Sequence, residues 1–390
     1  MRKFSAHRIY PVNRNPISFG IVETDDDGTI LNIRETGGKP VEEAGLEFYP
    51  GIIIPGMVNA HCHLEVSHLK GLIPEHTGLS GFVSSLQKIR HIDQEKIVQA
   101  AAEADRVMYM QGVSGVGDIS NLELTLPVKL KSRIRYHTFI EIFGLDAVIA
   151  SARFQNGVHL ARVFSEAGQP NSLSPHAPYS VGKAMWDLLS REANPSGRIS
   201  IHHDESPEEW ELLELGTGPL AEGFRRAGFD IGNLPSEAPD IFQLLDKYLP
   251  VDELILVHNT IMEKVPSARD IKRTVYWVLC PRSNQYIENL LPDIEAFAAS
   301  GLTVCLGTDS LASNHSLSVL DEMKVILQAV PGVTFETVLR WATLNGACAL
   351  GMEKNLGTIE KGKLPGLVNI PVFDWLQNRL GPRSQPVRLI

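Results

Sequence analysis

Ile52-Ile53-Ile54-Pro55-Gly56-Met57-Val58-Asn59-Ala60-His61-Cys62-His63-Leu64-Glu65 is the stretch on which the reading of the whole chain turns. Ile52–Ala60 has the composition of a buried strand and runs directly into two histidines one residue apart. Side chains at i and i+2 of a strand share a face roughly 6.6 Å apart, so both imidazoles can converge on one ion, and Zn²⁺ or Fe²⁺ suits them. Alternation aims Cys62 at the opposite face, where it reads as core. In a chain with 13 histidines a lone His-x-His is weak, so its weight depends on context.

Working outward, short apolar or β-branched runs recur at Ile52–Ala60, Val113–Ile119, Ile134–Phe143, Asn171–Pro178, Ile199–His203, Leu254–His258, Val275–Cys280 and Leu302–Gly307. Segments with apolar residues near a 3.6 period lie between them: Ser84–Met110, Lys183–Arg191, Glu208–Leu215, Ile241–Tyr248, Pro292–Ala299 and Leu317–Ala329. Eight strand-helix alternations predict an α/β chain built as a (β/α)₈ TIM barrel over residues 51–355. An open doubly wound sheet is the alternative, but no G-x-G-x-x-G follows a strand. Residues 1–50 read differently: Ser18–Glu23 and Thr29–Ile33 flank an Asp-Gly turn, and Gly357–Lys363 followed by Leu367–Val372 reads as turn and strand. The two ends, 1–50 and 356–390, are expected to join as a small β unit. Phe229–Asp240, rich in Gly, Pro and Asn, reads as a loop long enough to fold over a site.

Chemistry on such a barrel gathers at the C-terminal ends of the strands. There the chain places His61 and His63, His176, His202 and His203, His258, and Asp309 with Ser310, so six of its 13 histidines sit at strand exits. Glu205 follows His202 by three residues. A proton-shuttling carboxyl is one role for it, and a first-turn helix carboxylate ahead of Pro207 is the other.

With these motifs in view the sequence resembles the amidohydrolase superfamily, in its cytosine deaminase and chlorohydrolase-like group. The resemblance rests on Pro55–His63, His202-x-x-Glu205-Ser206-Pro207, Val257-His258 and Leu306-Gly307-Thr308-Asp309-Ser310, and spans about Pro55 to Gly366. It implies a barrel beside a small β-sandwich from both termini, and one divalent metal, Zn²⁺ or Fe²⁺, on His61, His63, His202 and Asp309. It further implies that Glu205 carries a proton to a ring nitrogen, that His258 orients the attacking water, that Asp309 takes a proton from it, and that His176 contacts substrate. Glu65, Ser310 and the Gly78–Gly81 stretch are further pocket candidates. No lysine occurs in Asn171–Val181, where two-metal relatives carry a bridging lysine, so a single-metal site is expected. The implied reaction is hydrolytic release of ammonia from a heteroaromatic amine, a 6-aminopurine nucleoside first. Guanine or cytosine deamination and chloride displacement are alternatives, and an inactive scaffold is the alternative outside enzymes.

Composition sets the remaining bounds. A formal charge of −10 argues against a nucleic-acid partner, and no apolar run approaches the roughly 18 residues of a membrane span. Four scattered cysteines suggest neither a disulfide framework nor a zinc ribbon, which fits a cytoplasmic protein whose partners are a small-molecule substrate and, as an option, a second copy in a homodimer. Trp186, Trp210 and Phe82 are read as packing residues before stacking ones.

Overall fold

The computed structural model of the chain describes residues 1–89, 93–192 and 197–390. Five strands precede the first histidine pair: β1 (Arg2–Ile9), β2 (Ile17–Ser18), β3 (Ile21–Thr24), β4 (Ile30–Arg34) and β5 (Leu46–Pro55). The expected hairpin is β3 against β4, closed where Asp25 Oδ1 accepts the amides of Asp27 and Thr29 and Gly28 takes φ +94°. The sequence reading passed over β1, whose charged residues hide an apolar set: Phe4, Ala6 and Ile9 are buried.

Eight parallel strands follow: β6 (Met57–Cys62), β7 (Val113–Ser120), β8 (Arg135–Ile142), β9 (Asn171–Pro175), β10 (Arg198–His203), β11 (Glu253–His258), β12 (Thr274–Leu279) and β13 (Thr303–Leu306). They form two four-stranded sheets, β6-β7-β8-β9 and β10-β11-β12-β13. The sheets meet at two seams. At one, Cys62 bridges Asp309 in parallel and Thr308 N donates to His61 O at 3.0 Å; at the other, His202 N donates to His176 O at 2.9 Å. Val58, Ala60, Ile119, Phe139, Val257 and Val278 form one buried cluster, and a larger one joins strands to the surrounding helices. These strands are buried on both faces, which is why they read as near-continuous apolar runs.

β14 (Leu367–Ile370) and β15 (Val387–Arg388) bring the chain end back, giving the order β15-β14-β5-β1-β3-β4 with β2 on β1. Both termini thus share one seven-stranded sheet. Arg388 fastens this end to the eight-stranded unit by donating to Tyr109 O and Val113 O.

Three expectations need correction. The run Ile52–Ala60 is not one strand: Ile52–Pro55 ends β5 in the terminal sheet, and Met57 begins β6. The break is at Gly56, where a Cβ would lie 1.9 Å from Ser114 Oγ and 2.4 Å from Pro365 O, so only glycine permits the approach. Ser84–Met110 is likewise two helices, Gly78–Ile89 and Gln94–Met110, the second capped by Asp93 accepting from Glu95 N. Glu208–Leu215 also divides, into an α turn Pro207–Trp210 and a π turn Glu211–Leu215. Among the described residues no helix is long and apolar enough to cross a membrane.

Candidate metal centre and substrate cavity

The register of β6 against β7 shifts between Asn59 and Cys62. Such an irregularity re-aims the strand end, and here His61 and His63 turn to the site while Cys62 packs in the strand-to-helix core. His63 Nε2 lies 3.1 Å from His61 Nε2 and 3.3 Å from His202 Nε2; Asp309 Oδ1 lies 3.6 Å from His61 Nε2 and 3.4 Å from His63 Nε2. A tetrahedron with metal–nitrogen bonds of about 2.0–2.1 Å has edges of about 3.3–3.4 Å; these contacts are close to that, and the ligand atoms of His61, His63 and Asp309 lie within 4.8 Å of one another, so the cluster could hold one small divalent ion. His203, the neighbour that alternation turns away, instead bonds Asn259 Oδ1 at 3.0 Å.

The electrostatics suit ligation. Burial lowers the pKa of His61, brings His63 down to about 3, and holds His202 well below the usual imidazole range, so all three present neutral rings. Burial opposes the charge of Asp309, yet the hydrogen bond to His61 and the nearby His63 and His258 rings hold its carboxyl well below the usual range. The outer contacts fix orientation. His202 Nδ1 donates to His176 O at 2.9 Å, leaving Nε2 for the ion, and Asp309 Oδ2 accepts from Ser283 Oγ and Ser313 Oγ, each at 2.6 Å. Asp309 at φ +55° and His258 at φ +77° occupy the left-handed region, strain that recurs at functional sites.

Beside the cluster, His258 Nδ1 donates to Asn284 Oδ1 at 2.8 Å, so its Nε2 keeps a lone pair. That buried Nε2 has no hydrogen-bond partner within the protein and lies 3.6 Å from Glu205 Oε1. Burial, reinforced by Asp309, Glu288 and Glu141, pushes the Glu205 carboxyl well above its ordinary range, the direction a proton donor needs. Glu205 is not the helix-dipole carboxylate: Glu209 takes that place, its Oε2 accepting from Glu205 N at 2.8 Å.

His63, His202, Glu205, His258 and Asp309 open into a cavity of about 420 Å³, within the size of small-molecule sites. His176, Glu65 and Ser310 line it as well. His176 Nδ1 pairs with Ser180 Oγ at 2.7 Å, and burial lowers its pKa to about 4. Glu65 Oε2 accepts from the amides of Asn121 and Leu122. Phe229, from the proposed covering loop, reaches the wall, as do Phe82 and Leu79 of the Gly78–Gly81 region. Trp186 is core and Trp210 is about half exposed, so neither stacks in the cavity.

A family model described as the amidohydrolase family matches residues 52–379. The chain belongs to the amidohydrolase family. The aminodeoxyfutalosine deaminase of Deinococcus radiodurans is 32% identical over 364 residues, covering 85% of this chain and 83% of that one. The adenosine deaminase of Helicobacter pylori is 27% identical over 323 residues, 81% of this chain and 78% of the relative. Among solved structures, Helicobacter pylori aminofutalosine deaminase in complex with methylthio-coformycin has a TM-score of 0.79 at 23% identity over 100% of both chains. An adenosine deaminase from Xanthomonas campestris with bound zinc has a TM-score of 0.70 at 21% identity, over 96% of this chain and 85% of that one. At these identities the structural likeness is one of fold.

Several residues of this amidohydrolase's site went unread in the sequence. Glu141, inside β8, lies 3.8 Å from His202 Nδ1 and 3.9 Å from His176 Nε2. Tyr179 lines the cavity with Glu205. Arg153 is the cavity's one Lys or Arg side chain among the described residues, held by a hydrogen bond to Phe143 O. Only the turn chemistry around His176 pointed near Tyr179; Glu141 and Arg153 had no spacing signal.

Proposed function

We propose that the chain is a metal-dependent hydrolase that deaminates a 6-aminopurine nucleoside, forming a C6–O bond, breaking C6–N and releasing ammonia. The observation that carries this reading is the buried carboxyl of Glu205 facing His258 Nε2 at 3.6 Å, in the same cavity as His63, His202 and Asp309. A divalent ion, zinc first and iron(II) second, on His61, His63, His202 and Asp309 would acidify a water and place positive charge beside the reacting carbon. Glu205 donates its proton to the ring nitrogen next to the amine-bearing carbon, and His258 Nε2 accepts a hydrogen bond from the water and fixes its approach. Asp309 provides a second acceptor for that water's proton. His176, Glu65 and Ser310 hold substrate against these groups, while Leu79, Phe82, Phe143 and Phe229 supply an apolar wall for the part beyond the purine. The fold reading that goes with this function is a closed barrel beginning at Met57 and running to about residue 355, favoured by the two hydrogen-bonded seams, with residues 1–55 and 356–390 as a small β-sandwich beside it.

The test is ammonia release by zinc-loaded protein on adenosine, methylthioadenosine, S-adenosylhomocysteine, aminofutalosine, guanine and cytosine, with His61→Ala as control. Turnover of a 6-aminopurine nucleoside, lost in the control, is expected. Silence on every nucleoside by a zinc-replete sample would sink the proposal.

A further inference from the structure

β6 delivers its two histidines through Leu64, and the backbone there is held by a charge pair sealed from water. Asp118 lies opposite Cys62 on β7. Its Oδ1 accepts a hydrogen bond from Leu64 N at 2.7 Å, and its Oδ2 lies 2.6 Å from Lys129 Nζ. Neither side chain has any exposed surface, and neither lines the cavity. Lys129 Nζ also donates to Ser120 Oγ at 2.9 Å and Thr138 Oγ1 at 3.0 Å, so each of its three N–H bonds has an acceptor. Its ammonium sits 5.1 Å from the ring centre of Phe164, on the face of the sheet away from the site.

A pair so buried forfeits the hydration of both ions, and well-packed apolar side chains of similar volume commonly leave a fold at least as stable. Stability alone therefore does not account for it. What the pair supplies is an acceptor fixed in place, aimed at the amide that follows His63. That amide is where β6 has already slipped its register with β7 and the chain turns into the 3₁₀ segment Leu64–Leu69, which carries Glu65. An acceptor locked by Lys129 removes slack at this turn.

We propose that Asp118 and Lys129 are a buried positioning pair that holds the His61–Glu65 exit in the geometry for metal capture. The proposal rests on the reading of His61, His63, His202 and Asp309 as ligands. Zinc affinity, measured by competition with a chelator, and the urea stability of the zinc-free protein are compared for the native chain and two double variants. Asp118→Leu/Lys129→Met replaces the pair with apolar groups; Asp118→Asn/Lys129→Met keeps an acceptor for Leu64 N without the charge lock. The expected result is zinc binding weakened about 10- to 100-fold in the first and by an intermediate factor in the second, as when an outer contact of a metal ligand is lost, with zinc-free stability unchanged. Cobalt substituted for zinc should show a broadened, shifted visible spectrum in the first variant. Native affinity in either double variant overturns the proposal. So does a matching loss of zinc-free stability, or failure of both to fold, because the pair is then structural. A native protein that does not bind zinc instead refutes the ligand reading beneath it.

Discussion

Replacing Glu205 with Gln isolates proton transfer from shape. Glu205 is 7% exposed, and burial with the nearby Asp309, Glu288 and Glu141 carboxylates raises its pKa well above the usual carboxylate range. Gln has nearly the same volume and still offers an N–H toward the ring nitrogen, so substrate should remain bound with KM changed only a few-fold. It cannot give up a proton. General acid catalysis by a positioned side chain contributes about 10²- to 10⁴-fold, which at about 1.4 kcal/mol per decade is roughly 3–6 kcal/mol of barrier. The expected result is therefore a fall in kcat of two to four decades at unchanged zinc content. Glu205 is not among the four proposed ligands, so metal loss cannot imitate the effect. Steady-state ammonia release, with zinc measured on the same samples, decides the matter. A zinc-replete Glu205→Gln protein whose kcat stays within tenfold of native would refute the proton-carrier role.

Three further outcomes follow from the geometry. Ser283→Ala with Ser313→Ala frees Asp309 Oδ2 of both its 2.6 Å donors and should weaken zinc binding about 10- to 100-fold in chelator competition; unchanged affinity would mean the serines do not orient the carboxylate. Arg153→Met should raise KM for nucleosides bearing an acidic group remote from the purine while leaving adenosine unaffected, and equal effects on both would remove Arg153 from substrate recognition. In the metal-free protein, His63 and His176 have folded pKa values of about 3 and about 4 against 6.5 for a free imidazole. Below pH 6.5 the unfolded chain takes up protons that the folded chain refuses, so stability is fully present above 6.5 and declines as pH falls toward 4. The slope is at most about 1.4 kcal/mol per pH unit for each group. Urea midpoints should fall from pH 7 to 4.5, and a flat profile would contradict this.

What the sequence made legible was what depends on local pattern. The eight parallel strands are apolar on both faces and stand out as runs, and the strand-exit histidines stand out because imidazole is rare in such places. The same property concealed the break at Gly56. Ile52–Pro55 and Met57–Ala60 are equally buried in two different sheets, and hydrophobicity carries no record of which sheet a residue joins. β1 escaped notice because Arg2, Lys3 and Arg8 flank its buried residues and no turn signal frames it.

The site residues divide along the same line, for a physical reason. The proposed ligands His61, His63, His202 and Asp309 lie where the backbone leaves a strand, so position in the chain nearly determines position in the cluster. Glu141, Ser283, Asn284 and Asp118 act through side chains that meet a partner from another strand or helix. Ser283, for example, reaches Asp309 from the helix Pro281–Glu288, while Asp118 grips a backbone amide 54 residues earlier. Their roles exist only after β6 has closed against β13 and β7. The identity of the proposed ligands is thus written in the strand exits, whereas their orientation is written in the packing between strands, and the second requires coordinates.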